Sequence, residues 1–455
     1  MTVNKLRRLP LAAAAMLACM GAQAGYQSPD GNFSLSGFGT IGFAKSSTND
    51  VQFNYPGQGG GVGTTPGATT DSKLAVQSTY KFTPTISATA QLMTRFDADS
   101  SYVPTLDWVF AKWQIAPGLN VRGGRMGTPY FMVSDFRNVG YANTPVRPNL
   151  DVYGQVPTDQ FEGADISYQY SLGSTTLNGT FFAGDAKQKF SSGKHKGALV
   201  IDPSSFVLKN ARGLNLTAEM DNGLTLRAGY ARSKMTLQSG TEDALLASAA
   251  ALSAVPSGAF GGLGVHLNNV GAQGTSAASA VAVRDSKITF TGFGATYDQD
   301  DWIISGEYTK RRGSSFIADT TGWYTNVGYR VGKFTPYVGF SKLTVNSANV
   351  TQTQIVPIAT GGGLDAFTGA VAASLNGSIK TPLDVEKLDQ RTITLGSRWD
   401  VTSSTALKFQ WDQVHKPADS WGLFYAVDPS TTAAQSFLNS RRKVNVLSLS
   451  MDVVF

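Results

Sequence analysis

The chain has 455 residues, of which 42% are hydrophobic and 11% aromatic, with 49 glycines and one cysteine. That length holds two or three ordinary soluble domains or one very large β structure, and after residue 24 no stretch approaches the roughly 20 apolar residues of a membrane helix, which excludes a helical membrane protein. The formal net charge of +6 drops to +3 once Lys5, Arg7 and Arg8 are set aside with the segment they begin, too little to point to nucleic acid as a partner.

Those three cations precede an apolar stretch from Leu9 to Met20, and Ala22-Gln23-Ala24 supplies the small residues a signal peptidase needs. Residues 1–24 therefore read as a secretory signal peptide, with Gly25 the first mature residue and 25–455 a single domain. Cys19 lies inside the leader; as an acylated lipoprotein cysteine it fits poorly, because Met16 stands where a branched aliphatic is expected. On this reading the mature chain has no thiol, hence no disulfide and no thiolate metal site.

Downstream, sixteen segments alternate apolar and polar residues with the period of a β-strand: 33–45, 71–82, 85–97, 105–115, 119–127, 161–171, 175–185, 208–219, 224–237, 286–298, 301–311, 321–331, 333–345, 388–400, 404–415 and 444–455. Turn-forming links such as Thr83-Pro84, Ala116-Pro117-Gly118 and Asp221-Asn222-Gly223 alternate without exception with long ones, 46–70, 98–104, 128–160, 186–207, 238–285, 312–320, 346–387 and 416–443. One rim thus carries tight turns and the other carries loops, which is an up-and-down topology. Three places fit less well. A bulge is expected near Lys112, where the parity of Trp108 and Phe110 gives way to that of Trp113 and Ile115. The eighth segment is weakly patterned, and Pro336 removes a ladder donor.

The two faces differ in chemistry. One holds Leu35, Ile41 and Phe43, Ile86 and Leu92, Leu226 and Tyr230, Trp302, Ile304 and Tyr308, then Leu395 and Trp399, Leu407, Phe409 and Trp411, and in the terminal VLSLSMDVVF Leu447, Leu449, Met451, Val453 and Phe455. The other carries Arg95, Arg227, Glu307, Arg330, Arg398, Lys408 and Asp412. Several kcal/mol each would be needed to bury such charges unpaired in a dry core. A closed membrane barrel avoids that cost: its apolar face meets lipid, its charged face meets water in the lumen, and every backbone group is paired between strands. Tyr80, Phe82, Trp113, Tyr168, Tyr170, Tyr297, Trp302, Tyr329, Phe334 and Trp399 cluster beside the short turns, as an interfacial girdle would.

With these features the chain resembles the Gram-negative outer-membrane porins. The likeness rests on the leader, the aromatic and glycine-rich first strand Phe33-Ser34-Leu35-Ser36-Gly37-Phe38-Gly39-Thr40, the long loop after the fifth strand, and the terminal strand ending in Phe455. It implies a sixteen-stranded barrel, a homotrimer, a third loop folded into the channel, residence in outer-membrane lipid, and a terminal strand whose Phe455 is read by the barrel-insertion machinery.

That third loop, TPYFMVSDFRNVGYANTPVRPNLDVYGQVPTDQFE from Thr128 to Glu162, is the expected constriction. A loop so long, rich in aromatics and prolines, is functional and ordered. Asp135, Asp151, Asp159 and Glu162 give it carboxylates, Arg137 and Arg147 cations, and Arg95, Arg122 and Arg125 stand on nearby strands. Opposed charges across a wet passage set up a transverse field; alternatively they are salt bridges that tether the loop to the wall. Because arginines outnumber the acids on the lumenal strand faces, a weak anion preference is expected. The Ala-rich stretches 243–255 and 364–375 are expected to form short helices at the outer mouth, with Thr241 or Asp365 as an N-cap. The glycine-rich stretch from Pro56 to residue 67 is expected to be a flexible loop, with no strand-loop-helix context for a phosphate cradle.

Catalysis is not suggested. His195, His266 and His415 lie in or beside separate loops with no serine or ligand partner at telling spacing, and Asp298, Asp300 and Asp301 read as a solvated turn before they read as a calcium site. The expected function is passive diffusion of small polar or anionic solutes, without a cofactor or a metal. The alternatives are a non-conducting barrel acting as an adhesin or surface-binding structural protein, and a large soluble β protein.

Overall fold

The computed structural model describes residues 25–156, 158–191, 204–359 and 362–455. The expected leader, residues 1–24 with Cys19, and His195 lie outside them.

Among the described residues sixteen long strands form the ring. They are β1 (Phe33–Ser46), β2 (Lys73–Lys81), β3 (Ile86–Arg95), β4 (Thr105–Ala116), β5 (Leu119–Gly127), β6 (Gln160–Leu172), β7 (Thr175–Phe190), β8 (Ser204–Met220), β9 (Leu224–Gln238), β10 (Ser286–Gln299), β11 (Trp302–Arg312), β12 (Asp319–Tyr329), β13 (Phe334–Ser347), β14 (Gln390–Thr402), β15 (Thr405–Lys416) and β16 (Arg442–Val454). Each pairs antiparallel with its chain neighbours, and β16 returns to β1 with Met451 opposite Ile41 and Leu449 opposite Phe43. The barrel is closed. A two-residue strand, Tyr26–Gln27, pairs with Leu35 and Ser34 outside the ring. At the seam the Phe455 N–H donates to the Gly37 carbonyl and the Gly37 N–H to the Phe455 carbonyl, and the Phe455 ring covers Gly37 so closely that a Cβ there would lie 2.3 Å from Cζ.

The tight rim is built by residues that accept a left-handed backbone. Gly118 (φ 77°) and Gly223 (φ 78°) turn β4 into β5 and β8 into β9, and Asp300 (φ 55°) does the same between β10 and β11. At the opposite rim the described residues form three longer helices, α1 (Gly240–Ser253), α2 (Leu263–Val281) and α3 (Leu364–Val385), and the shorter α4 (Thr432–Asn439). The two Ala-rich stretches are thus helical, but the second runs well past residue 375 and α2 has no counterpart in the sequence reading. Ser239 and Gly363 occupy the N-cap positions expected of Thr241 and Asp365. Val270, Ala277, Val281, Ile355, Ala372, Leu375 and Ile379 bury one another where these helices meet.

The outer face is apolar over its middle: Leu216, Phe293 and Leu449 remain 55%, 55% and 57% exposed, as lipid-facing side chains should. The girdle aromatics Trp113, Tyr170 and Phe334 are likewise exposed beside the short turns. The expected break at Lys112 lies elsewhere. The register slips between Gln91 and Leu92 where they face Trp108 and Leu106, so the bulge falls at Asp107, and Trp108 and Phe110 point inward while Val109, Trp113 and Ile115 point out. The weak pattern of the eighth segment also has a cause, a bulge at Lys209–Arg212 around Asn210, whose φ is 52°.

The inner face is not uniformly wet. Phe161, Phe182, Met235, Phe290 and Tyr324 pack against Tyr130, Phe131, Val152 and Tyr153 of the third loop. Ala44, Val414, Val444 and Val446 pack against Val51, Phe53, Val62, Trp421, Phe424 and Phe437 of other loops. Toward the loop rim, inward apolar side chains are sealed by loops that fold over them, because only such cover removes them from lumenal water. The glycine-rich stretch after Pro56 is part of that cover: Val62 bridges Phe53, and a Cβ on Gly61 would lie 2.2 Å from the Phe53 carbonyl oxygen.

Candidate functional site

The segment between β5 and β6 lies against the inner face of strands from around the ring. It is held in three places by groups that two-residue periodicity turns inward. The first is an ionic cluster at β3. Asp159 takes Arg95 Nη1 at 2.5 Å and also pairs with Arg137, whose Nη2 reaches the Tyr55 hydroxyl at 3.2 Å; Asp107 stands 3.8 Å from Arg95. Burial alone would raise the Asp159 carboxyl, but Arg137 and Arg95 hold it below the usual carboxylate value. Arg137 is 4% exposed, and its Nε and Nη1 find no partner among the described residues.

The second place is at β14–β16 and β1. Arg147 donates through Nε and Nη2 to both oxygens of Asp71 (2.8 and 2.6 Å), through Nη1 to Asp412 (3.3 Å), and through Nη2 to Ser448 (2.6 Å), with its guanidinium over Phe53. Lys408 donates to the carbonyls of Gly140 and Asn143 and pairs with Asp452 at 3.0 Å, and Arg398 donates to Tyr141 O and Asn143 O while stacking on the Tyr141 ring. Gly140 is required here, since a Cβ would fall 2.0 Å from Asp452 Oδ1. Asp151 accepts from Ser341 and Gln390, and burial lifts its pKa to about 6 in spite of those bonds and one from Thr392.

The third place is at β9–β12. Arg227 donates to the carbonyls of Pro129 and Phe131. Glu307 accepts from the hydroxyls of Tyr153 and Tyr324 and from the Met132 N–H, and no cation among the described residues is paired with it.

Two cavities flank the segment. One of about 330 Å³ is lined by Gln77, Gln91, Trp108, Asp135, Arg137 and Asp159. The other, about 540 Å³ and nearer the long loops, is lined by Gln155, Thr158, Arg311, Lys380, Glu386 and Trp421 among others. Thr158 and Asp159 divide them.

The expected constriction residues therefore separate into three groups. Arg95, Arg122 and Asp135 reach water: Arg122 pairs with Asp165 across β5–β6 (2.5 Å), lies over Phe110 and faces Lys112, while Asp135 is exposed. Arg137, Arg147, Asp151 and Asp159 are buried tethers. Arg125 and Glu162 do not belong to the site; they pair with each other, and their register opposite Val109 and beside the Ile166 face puts them on the outer wall. Of the residues expected in the lumen, Arg227, Glu307, Arg398, Lys408 and Asp412 face inward, but Arg330 lies past the end of β12 and pairs with Asp298 at the tight rim. The inner acids Asp71, Asp107, Asp165 and Asp452 went unused in the sequence reading, although the parity of Ile166 and Met451 already turned Asp165 and Asp452 inward. With them counted, arginines no longer outnumber inner acids.

No family model and no curated protein matches the sequence. Solved structures do resemble it. Salmonella typhi OmpF, in complex with daunomycin, matches 95% of this chain and 100% of its own at 11% identity, with a TM-score of 0.50. The barrel is porin-like. An anion-selective porin from Comamonas acidovorans (93% and 99% covered, 12% identity, TM-score 0.48) and OmpT, an outer membrane protein of Vibrio cholerae (93% and 98%, 10%, 0.46), are further matches. At these identities the likeness concerns the fold; the porin-like barrel's activity has to be argued from its own inner face.

Proposed function

We propose that the protein is an outer-membrane porin, inserted as a homotrimer, that lets small hydrophilic solutes diffuse down their gradients, with the segment 128–160 narrowing its lumen. The observation that supports this reading is the pair of cavities on either side of that segment, divided only by the neighbouring residues Thr158 and Asp159, within a ring whose outer wall is apolar. A sixteen-stranded barrel is wide enough to leave an aqueous passage even after a loop occupies part of it. Locally Lys112, Arg122 and Arg227 stand against Asp135 and Asp165, a single cation in excess, and this supports a weak preference for anions. Liposomes carrying the folded protein should admit small sugars and amino acids at rates that fall with solute size; liposomes as tight as protein-free ones would refute the reading.

One observation favours a second reading, a surface barrel that conducts nothing and binds a partner through its loops. The apolar clusters under the loops and the three packed helices close much of the long-loop end. Tight liposomes whose loops capture a ligand would support it.

A further inference from the structure

Beyond the channel, the outer wall carries a second pattern. On adjacent strands β8–β11, just above the apolar band and toward the long loops, register places Arg212 opposite Arg232, and Arg232 opposite Thr289, which faces Arg312. One step further out Lys209 stands opposite Lys234 and Lys234 opposite Lys287. All six cations share the parity of lipid-facing Leu214, Tyr230, Phe293 and Tyr308, and all six are exposed. None has an ion pair or hydrogen bond among the described residues. The pattern continues around the wall, where Lys342 faces Arg391, Arg391 faces His415 and His415 faces Lys443, with Lys45 on the neighbouring strand.

Like charges directly opposite one another weaken a sheet, and among the described residues the outward carboxylate beside them, Asp185, accepts the Asn210 N–H and forms no ion pair with these cations. The opposite end of the same wall has an aromatic girdle in place of such rows. Neighbouring strands are about 4.8 Å apart and alternate residues about 7 Å apart along a strand, so the two rows form a lattice of positive charge at the depth where lipid headgroups meet hydrocarbon.

We propose that this lattice binds the phosphates of lipids in the leaflet on the long-loop side, and that a headgroup with more than one phosphate, bridging both rows, is its preferred occupant. The acyl chains of such a lipid lie along Leu214, Tyr230 and Phe293 directly below. Detergent and salt compete with this contact differently from a purely apolar one, because exposed charge pairs are screened by ions.

The test uses the full folded barrel in zwitterionic nanodiscs. Native mass spectrometry and equilibrium titration follow a diphosphorylated glycolipid, its dephosphorylated counterpart and inorganic phosphate. The wild type should retain the diphosphorylated lipid, lose it on raising salt to about 0.5 M, and ignore the other two probes. Combined Lys209→Gln, Arg212→Gln, Arg232→Gln and Lys234→Gln should weaken lipid binding at least tenfold, whereas Lys81→Gln with Lys333→Gln near the tight rim should not. If the fourfold variant fails to fold, Lys342→Gln, Arg391→Gln and Lys443→Gln give the same readout on the other arc, with a smaller loss. Equal binding of the dephosphorylated lipid, tight binding of free phosphate, or unchanged affinity in folded variants would overturn the proposal, as would a change of oligomeric state with lipid binding intact. Liposome permeability is expected to be the same in all of them, which separates this result from the channel's.

Discussion

Arg147 and Arg122 show what surroundings do to one residue type. Arg147, 4% exposed, spends its guanidinium on Asp71, Asp412 and Ser448, so its charge is internally balanced and holds the loop in place. Arg122 shares one carboxylate, Asp165, and keeps a face toward water beside Lys112. On the proposed reading, selectivity rests on Arg122 and Asp135. Neutralising Arg122→Gln should move the reversal potential in a salt gradient toward cations, and Asp135→Asn should move it toward anions, each by a few millivolts to about ten. Unchanged potentials in both variants would remove these residues from the passage. Asp151 gives a pH effect of definite sign. Its folded pKa of about 6 exceeds the ordinary aspartate value of 3.8, so the protonated form favours the folded loop. That stabilisation is complete below the ordinary value and is lost as pH rises through about 6, an effect of up to about 3 kcal/mol. Thermal midpoints compared at pH 5 and pH 8 should fall more in the wild type than in Asp151→Asn. Sequence parity puts Arg95, Arg227 and Lys408 on the inner face, but parity cannot say which inward charge a distant loop will cover. Nearness to the loop, not alternation, misplaces Arg125 and Glu162: Arg125 has the opposite parity to inward Arg122, and Glu162 is in phase with outward Ile166.

At the level of elements, the strands were legible because lipid on one side and lumen on the other impose a period of two over ten or more residues. The tight turns were legible because Gly118, Gly223 and Asp300 must accept positive φ. The third loop was legible in length and content only. Its path is fixed by contacts hundreds of residues away in sequence, such as Lys408 with the Gly140 carbonyl and Arg147 with Asp71. Removing one partner of a buried network leaves charges unpaired at a cost of about 3–5 kcal/mol. Arg147→Ala, which strands Asp71 and Asp412, should therefore loosen the loop while the ring persists. The expected result is new proteolysis within residues 128–159 and noisier conductance, with the β-sheet circular dichroism unchanged. Gly140→Val should give the same outcome by steric means, because its Cβ would meet Asp452. Cleavage kinetics equal to the wild type in both variants would show that these tethers do not hold the loop.

Over the whole molecule the usual order of a globular protein is inverted in the middle and kept near one end. Across the central band, Leu216, Phe293 and Leu449 face outward and charged groups face inward; under the long loops, Phe182, Phe290, Val414 and Val446 form dry clusters of ordinary kind. The first arrangement can be read from alternation alone, and the second cannot, since an inward Phe in a strand does not announce the loop that will seal it. The proposed function requires that water still pass between the two flanking cavities. Single-channel recording of the purified full-length barrel in a planar lipid bilayer decides this: an open passage gives discrete, steady ion-conducting steps that Arg122→Gln and Asp135→Asn shift in opposite selectivity, whereas barrels that insert and stay electrically silent exclude such a passage.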